Sequence, residues 1–214
     1  MSKAMKTMGV AVAVFLVPVV LMAAKAELVS GDLALLKGQT AIEVEFDYAG
    51  MTVGGKGTPE AQWLADEVAK RNGKKAGSGD AFQATWVSSR TELYAPRFLE
   101  ELNKELAKGG AKAMLGAGAA KYTLIVRTMQ VEPGATIGFN TQAWATLEVR
   151  LVETAKKDVA LAAIGIEKIR PARKKVGGIK LGGRDDESRL AECYDDGGEA
   201  LGELLVKLGL KAAG

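Results

Sequence analysis

Three runs rich in β-branched and aromatic residues, "KYTLIVRTMQV", "QAWATLEVRLVE" and "DVALAAIGIEKI", follow one another in the second half of the chain. Such residues favour a pleated, half-buried surface. The segments between them, "EPGATIGFN" and "ETAKKD", have hairpin lengths, so the runs predict consecutive antiparallel strands. In the second run Ala145, Leu147, Val149 and Leu151 alternate with Thr146, Glu148 and Arg150, which leaves one face wet. The third run is apolar on both faces and reads as more central. An earlier run, "AIEVEFDY", alternates in the same way. Ile42, Val44, Phe46 and Tyr48 fall on one side and Glu43, Glu45 and Asp47 on the other.

Between the first strand and the later three, the pattern turns helical. Thr58-Pro59-Glu60 supplies a capping hydroxyl, a proline for the first turn and an acid; Ala61, Leu64 and Val68 predict a buried face, ended by Asn72-Gly73. Asp80 and Gln83 have capping-box spacing, and Phe82 and Trp86 share one side of that helix. Tyr94-Ala95-Pro96 interrupts it, and Leu99, Leu102 and Leu106 then recur until Gly109-Gly110. A last helix places Leu190, Tyr194, Leu201, Leu204 and Leu208 on one stripe. Gly197-Gly198 within it calls for either a close backbone contact or a bend. The predicted class is α+β: a small, mainly antiparallel sheet of about four strands, helices packed on one face, and a helical insertion after the first strand. That insertion spans 51–110, and one α/β domain is expected over 27–214.

The first 26 residues differ from the rest. Lys3 and Lys6 precede an uncharged run from Thr7 to Ala24, which ends in the small-x-small sequence Ala24-Lys25-Ala26. This predicts a signal peptide cleaved after Ala26, with retention as an anchor the alternative. No cysteine lies near that junction to be lipidated, so a periplasmic or secreted protein is expected, with no stable transmembrane segment after cleavage. Lys3, Lys6 and Lys25 leave with the leader, so 29 cations and 26 acids become 26 and 26. Nucleic acid is therefore not an expected partner. Cys193, the single cysteine, allows no intramolecular disulfide.

The chain has no histidine, which removes the usual serine and cysteine triads, the common zinc sites and imidazole acid-base catalysis. No cofactor and no metal site are expected. Glu43, Glu45 and Asp47 could gather a hard cation or form a carboxylate hydrolase site, but such a row is ordinarily the wet side of a strand. "TVGGKGT" lacks the order of a phosphate loop, since Gly57 follows Lys56, and reads as a mobile loop before a helix. "GAGAA" precedes a strand and is no dinucleotide fingerprint. "DDE" at 185–187 suits a helix start. Cys193 reads as a packed apolar residue.

Two features remain as binding candidates. The glycine-rich stretch 169–184 carries Arg170, Arg173, Lys174, Lys175, Lys180 and Arg184 without an acid, and is either an anion site or a solvated connection. Trp144, on the wet face of its strand, is the tryptophan placed to stack on a ligand. Anionic envelope lipid or glycan, or another envelope protein, would be the corresponding partner, and an oligomer is compatible with exposed strand edges.

The segments "AAKYTLIVRTMQVEPG", "ATLEVRLVETAKKDVALAAIGIEKIR" and "EALGELLVKLG" resemble exported envelope proteins of Gram-negative bacteria. Their strand, hairpin and covering helix are similar to the small α/β module at the amino end of the Tol-system translocation protein and in curli-secretion lipoproteins. The resemblance covers Ala41–Tyr48 and roughly 119–209. It implies a binding or assembly role and supplies no catalytic motif.

Overall fold

The computed structural model describes residues 24–116, 118–134, 142–171, 175–176, 179–180 and 185–210. The leader therefore lies almost entirely outside the described residues. So do Arg173, Lys174 and Arg184.

Three strands form where the alternating runs place them: β6 (Tyr122–Glu132), β7 (Trp144–Glu153) and β8 (Lys156–Ile169) pair antiparallel in sequence order. They do not stand as a small antiparallel sheet. They belong to an eight-stranded mixed sheet that also contains β1 (Ala26–Gly31), β2 (Ala41–Asp47), β3 (Thr52–Val53), β4 (Thr58–Pro59) and β5 (Lys112–Leu115). The long path runs β1-β8-β7-β6-β2-β5, with β3 beside β6 and β4 beside β3.

The correction has two physical sources. First, β2 pairs parallel with both β6 and β5, and β3 pairs parallel with β6. Parallel neighbours need a long crossover, so the helical segment 51–110 is the connection that carries the chain from β2 to β5 and is no insertion. Second, the added strands are short or poorly patterned. "AELVSG" in β1 has only Ala26 buried, while Val29 at the bulge opposite β8 is 70% exposed.

The helices are α1 (Glu60–Lys74), α2 (Ser78–Ser89), α3 (Ala95–Leu106) and α4 (Asp186–Leu205). Residues Arg90–Tyr94 form a π turn between α2 and α3, where the proline interrupts regular helix. α3 and α4 lie across one face of the sheet. Phe98 meets the Phe46 ring edge-on at 5.5 Å, and Tyr194 bonds Thr128 of β6. Ile42, Val44, Leu124, Val126, Leu147, Val149, Ile164 and Ile166 are fully covered there.

Glycines set the spacing between the two helices. A Cβ on Gly198 would sit 2.2 Å from the Phe98 carbonyl oxygen, and one on Gly202 would sit 2.4 Å from Glu105 Cβ. Gly197-Gly198 thus serves close packing, within a helix that runs unbroken through it. The apolar stripe of α4 holds for Leu190, Tyr194 and Leu201, then passes to Leu205. Leu204 is only partly buried, and Leu208, within a π turn over Val206–Leu210, is 42% exposed.

Local capping also departs from expectation. Thr58 lies in β4, and Pro59 is the N-cap of α1 with no side-chain cap bond. Gly77, not Asp80, caps α2; Asp80 accepts from Asn72 instead. "TVGGKGT" is a tight β3–β4 hairpin closed by Gly57 N–H donating to the Gly54 carbonyl at 2.9 Å. Asp185 caps α4, accepting from the Ser188 N–H at 2.7 Å, as the acidic run implied.

Candidate functional site

The most unusual consequence of this fold is that α1 buries no residue at all. The stripe expected to face the core, Ala61, Leu64 and Val68, instead lines an open groove of about 640 Å³ shared with Gln83 and Val87 of α2. Ala61 is exposed, while Leu64 and Val68 are half-buried: Leu64 packs at the margin of the core and Val68 backs onto Gly79 of α2. Trp63 packs on α2 beside them. Its ring lies 4.7 Å from Trp86 and 6.1 Å from Phe82, and the Arg71 guanidinium covers Phe82 at 3.7 Å.

One end of the groove is polar. Glu60, held in place by its N–H bond to the Met51 carbonyl, accepts from Trp86 Nε1 at 2.6 Å and forms an ion pair with Arg90. Arg90 opens the π turn, and its guanidinium stacks 4.6 Å above the Tyr48 ring. It therefore forms a wall between the groove and the protein interior.

Behind Arg90 lies a recess of about 10 Å³ bounded by Tyr48, Tyr94 and Tyr194 together with Met51, Val131 and Leu190. The Tyr94 and Tyr194 rings stack at 4.7 Å with 2° between their planes. The Tyr194 hydroxyl shares a 2.6 Å bond with Thr128 and lies beside the Tyr48 hydroxyl, and the buried Tyr94 hydroxyl has no hydrogen-bond partner among the described residues. Burial pushes the Tyr48 phenol up to about 12, outweighing the nearby Tyr194 hydroxyl and Arg90. Burial likewise raises Tyr94 and Tyr194 above the ordinary phenol range. All three stay neutral at physiological pH and offer hydrogen bonds, not charge.

None of Tyr48, Glu60, Arg90 and Tyr94 stands out in the sequence as a site residue. The signal available was the helix break at Tyr94-Ala95-Pro96, since π turns gather at functional sites.

The sequence candidates lie elsewhere. Arg170 is exposed at the end of β8. Lys175 and Lys180 are opposite one another in a short hairpin of β9 (Lys175–Val176) and β10 (Ile179–Lys180), so part of the basic loop has regular pairing. Trp144 begins β7 half-buried, with the Lys168 ammonium 5.9 Å from its ring centre.

The carboxylate row is not uniformly wet. Glu43 is 1% exposed and accepts from the Ala120 N–H at 3.0 Å. Its burial follows from Gly116 and Ala120 lying over β2: a Cβ on Gly116 would lie 3.1 Å from Glu45 and 3.4 Å from Glu43. Glu45 pairs with Lys157, and Asp47 with Arg127 at 3.7 Å. Each carboxylate thus has its own local partner. Among the described residues no group of three or more His, Cys, Asp or Glu could hold a metal ion. Cys193 is buried, and burial raises its thiol, followed by the nearby Asp196, Glu192 and Asp195 charges.

No helix among the described residues is long and apolar enough to cross a membrane. No family model and no curated protein matches the chain. Solved structures similar to it include PelC from Paraburkholderia phytofirmans, a dodecamer, at TM-score 0.34 and 12% identity, covering 80% of this chain and 97% of that one. A point variant of that dodecamer matches at TM-score 0.31 and 13% identity, covering 81% and 95%. A hemagglutinin homolog from Helicobacter pylori matches at TM-score 0.30 and 13% identity, covering 84% and 89%. Likeness at this level falls short of a shared fold.

Proposed function

We propose that this is an exported cell-envelope protein that acts by binding another envelope component, without catalysis. The observation that carries the reading is the only partly covered apolar stripe of α1, which walls a groove ending in the Glu60–Arg90 pair. A globular protein ordinarily buries such a stripe, and a groove of this size, mainly apolar with one polar end, suits a bound partner. The apolar leader supports export, and the absence of histidine favours binding over common hydrolytic chemistries. The tyrosines behind the groove are neutral, which suits recognition better than proton transfer.

The test is retention of the tagged protein on envelope extract, comparing wild type with Val68→Glu and with a variant carrying serine in place of Arg173, Lys174 and Lys175. Val68 is half-buried beside Gly79 of α2, so the thermal midpoint of Val68→Glu is measured alongside, and only loss of retention with the midpoint held counts for the groove. Lost retention for Val68→Glu alone supports the groove. Loss only in the basic-loop variant moves the contact there, and equal retention by all three rejects both surfaces.

A second reading, a structural subunit of a homo-oligomer, is favoured by β1, an edge strand with Val29 70% exposed. Light scattering that finds only monomer at high concentration would reject it.

A further inference from the structure

We infer that the occupant of the α1 groove is a second copy of this chain, with the two α1 helices packed antiparallel across a two-fold axis. The inference rests on reading the groove as a contact surface and names the partner there. α1 runs for 15 residues and buries none of them, yet a helix of that length is marginal in water and draws most of its stability from packing one face. Ala61, Ala65 and Ala69 are exposed, Leu64 and Val68 are half-buried, and Val87 across the groove is 48% exposed. The uncovered surface is therefore mainly apolar, with small residues along α1 and larger ones toward α2.

Two independent features make α1 complementary to itself about nearly the same point. The first is shape. Ala61, Ala65, Ala69 and Gly73 recur every four residues on the exposed side and form a low ridge, over which a second helix can approach closely. Turned end for end, the ridge meets its own copy with Ala61 opposite Gly73 and Ala65 opposite Ala69, and both pairs centre on Glu67. The second is charge. The acids Glu60, Asp66 and Glu67 precede the bases Lys70, Arg71 and Lys74, so parallel copies would set like charges together and antiparallel copies set acid against base. In the antiparallel arrangement Asp66 falls beside Lys70 of the second copy. That pairing centres on Val68 and so keeps the ridge's register to within one residue, about 1.5 Å. Among the described residues Asp66 makes no ion pair, and Lys70 pairs only with Glu67 of its own helix, its side chain 58% exposed. An exposed pair of that kind is worth little and leaves the ammonium able to reach the second copy. The two-fold axis makes each contact twice. A foreign helix would need the same spacing of both features; α1 already has it.

Sedimentation velocity of the purified protein over a range of concentrations, at low ionic strength, tests this. A dimer is expected. Asp66→Lys and Lys70→Asp should each weaken it by roughly tenfold, because each places two like-charge pairs across the axis. Mixed in equal amounts, the two variants should recover wild-type association, since the mixed dimer restores both acid–base contacts. Ala65→Trp should hold the helices apart and leave monomer whatever the charges. All three positions are exposed, so the thermal midpoint of each dilute variant should stay at the wild-type value. A wild type that stays monomeric, charge variants that associate as well as wild type, or a mixture that does not recover would each overturn the inference. A monomeric wild type whose envelope retention is still lost in Val68→Glu would overturn it too, while leaving the groove as the contact for a different partner.

Discussion

The side-chain amide of Asn103 makes both hydrogen bonds that a neighbouring strand would make to Ala113. Asn103 Nδ2 donates to the Ala113 carbonyl at 3.0 Å, and the Ala113 N–H donates to Asn103 Oδ1 at 2.7 Å. β5 is the last strand on its side of the sheet, and α3 therefore closes that edge with one residue. Open edges are templates for unwanted pairing. Asn103→Leu should cost about 1–3 kcal/mol by leaving the Ala113 backbone unpaired and should promote association. Thermal unfolding and sizing chromatography over a range of concentrations read the two effects separately.

The α3–α4 crossing predicts a contrast between two glycines. Gly198→Ala places a methyl 2.2 Å from the Phe98 carbonyl oxygen, backbone that cannot swing aside. A loss of about 1–3 kcal/mol is expected from overpacking. Gly73→Ala in α1 meets nothing within 4 Å and should gain up to about 1 kcal/mol of helix propensity. Denaturant unfolding of both variants checks the opposite signs.

The start of α4 should show two pH dependences of opposite sign. The Ser188 hydrogen bonds hold the Asp185 carboxyl below its usual range. Its stabilising contribution is therefore present above the unfolded value and is lost as pH falls through the folded one. Asp185→Ala should cost about 1 kcal/mol at neutral pH, with the difference shrinking in acid. Burial raises the Glu187 carboxyl, so its contribution is greatest below the unfolded value and is lost as pH rises through the folded one. Glu187→Gln should accordingly stabilise at pH 7 and converge with wild type in acid. Thermal midpoints across pH 3–8 measure both.

Cys193 should be inert in the native state. Its sulfur is buried and donates to the Arg189 carbonyl at 3.5 Å, and its raised thiol gives little thiolate at neutral pH. A thiol reagent should react only on unfolding, and non-reducing gels should show no linked dimer of the native protein.

Lys168 has φ 44°, a left-handed conformation that costs a residue with a Cβ roughly 1–2 kcal/mol. It is held there by the bulged β7–β8 register and its N–H bond to Thr146 Oγ1. Lys168→Gly should raise the thermal midpoint by a few degrees, which differential scanning calorimetry would detect.

Residue order alone determined which faces of β2 and β7 are apolar, where α3 breaks from α2, and that no imidazole chemistry is available, whereas β8, expected to be central and apolar on both faces, lies next to the edge strand with its first half exposed. Those features are local: alternation of period two and a proline in a helix act within a few residues. The tertiary structure decided what meets each face. The same alternation that placed Glu43 on the polar side of β2 could not reveal that Gly116 and Ala120 would cover it. The α1 stripe had the spacing of a buried helix, yet it is only half-covered beside the Trp63 and Arg71 contacts with α2. Parallel pairing of β2 with β5 and β6, the Asn103 edge closure and the gathering of Tyr48, Arg90, Tyr94 and Tyr194 all join residues far apart in the chain. Periodicity states which groups seek burial; only the folded chain states which neighbours are within reach.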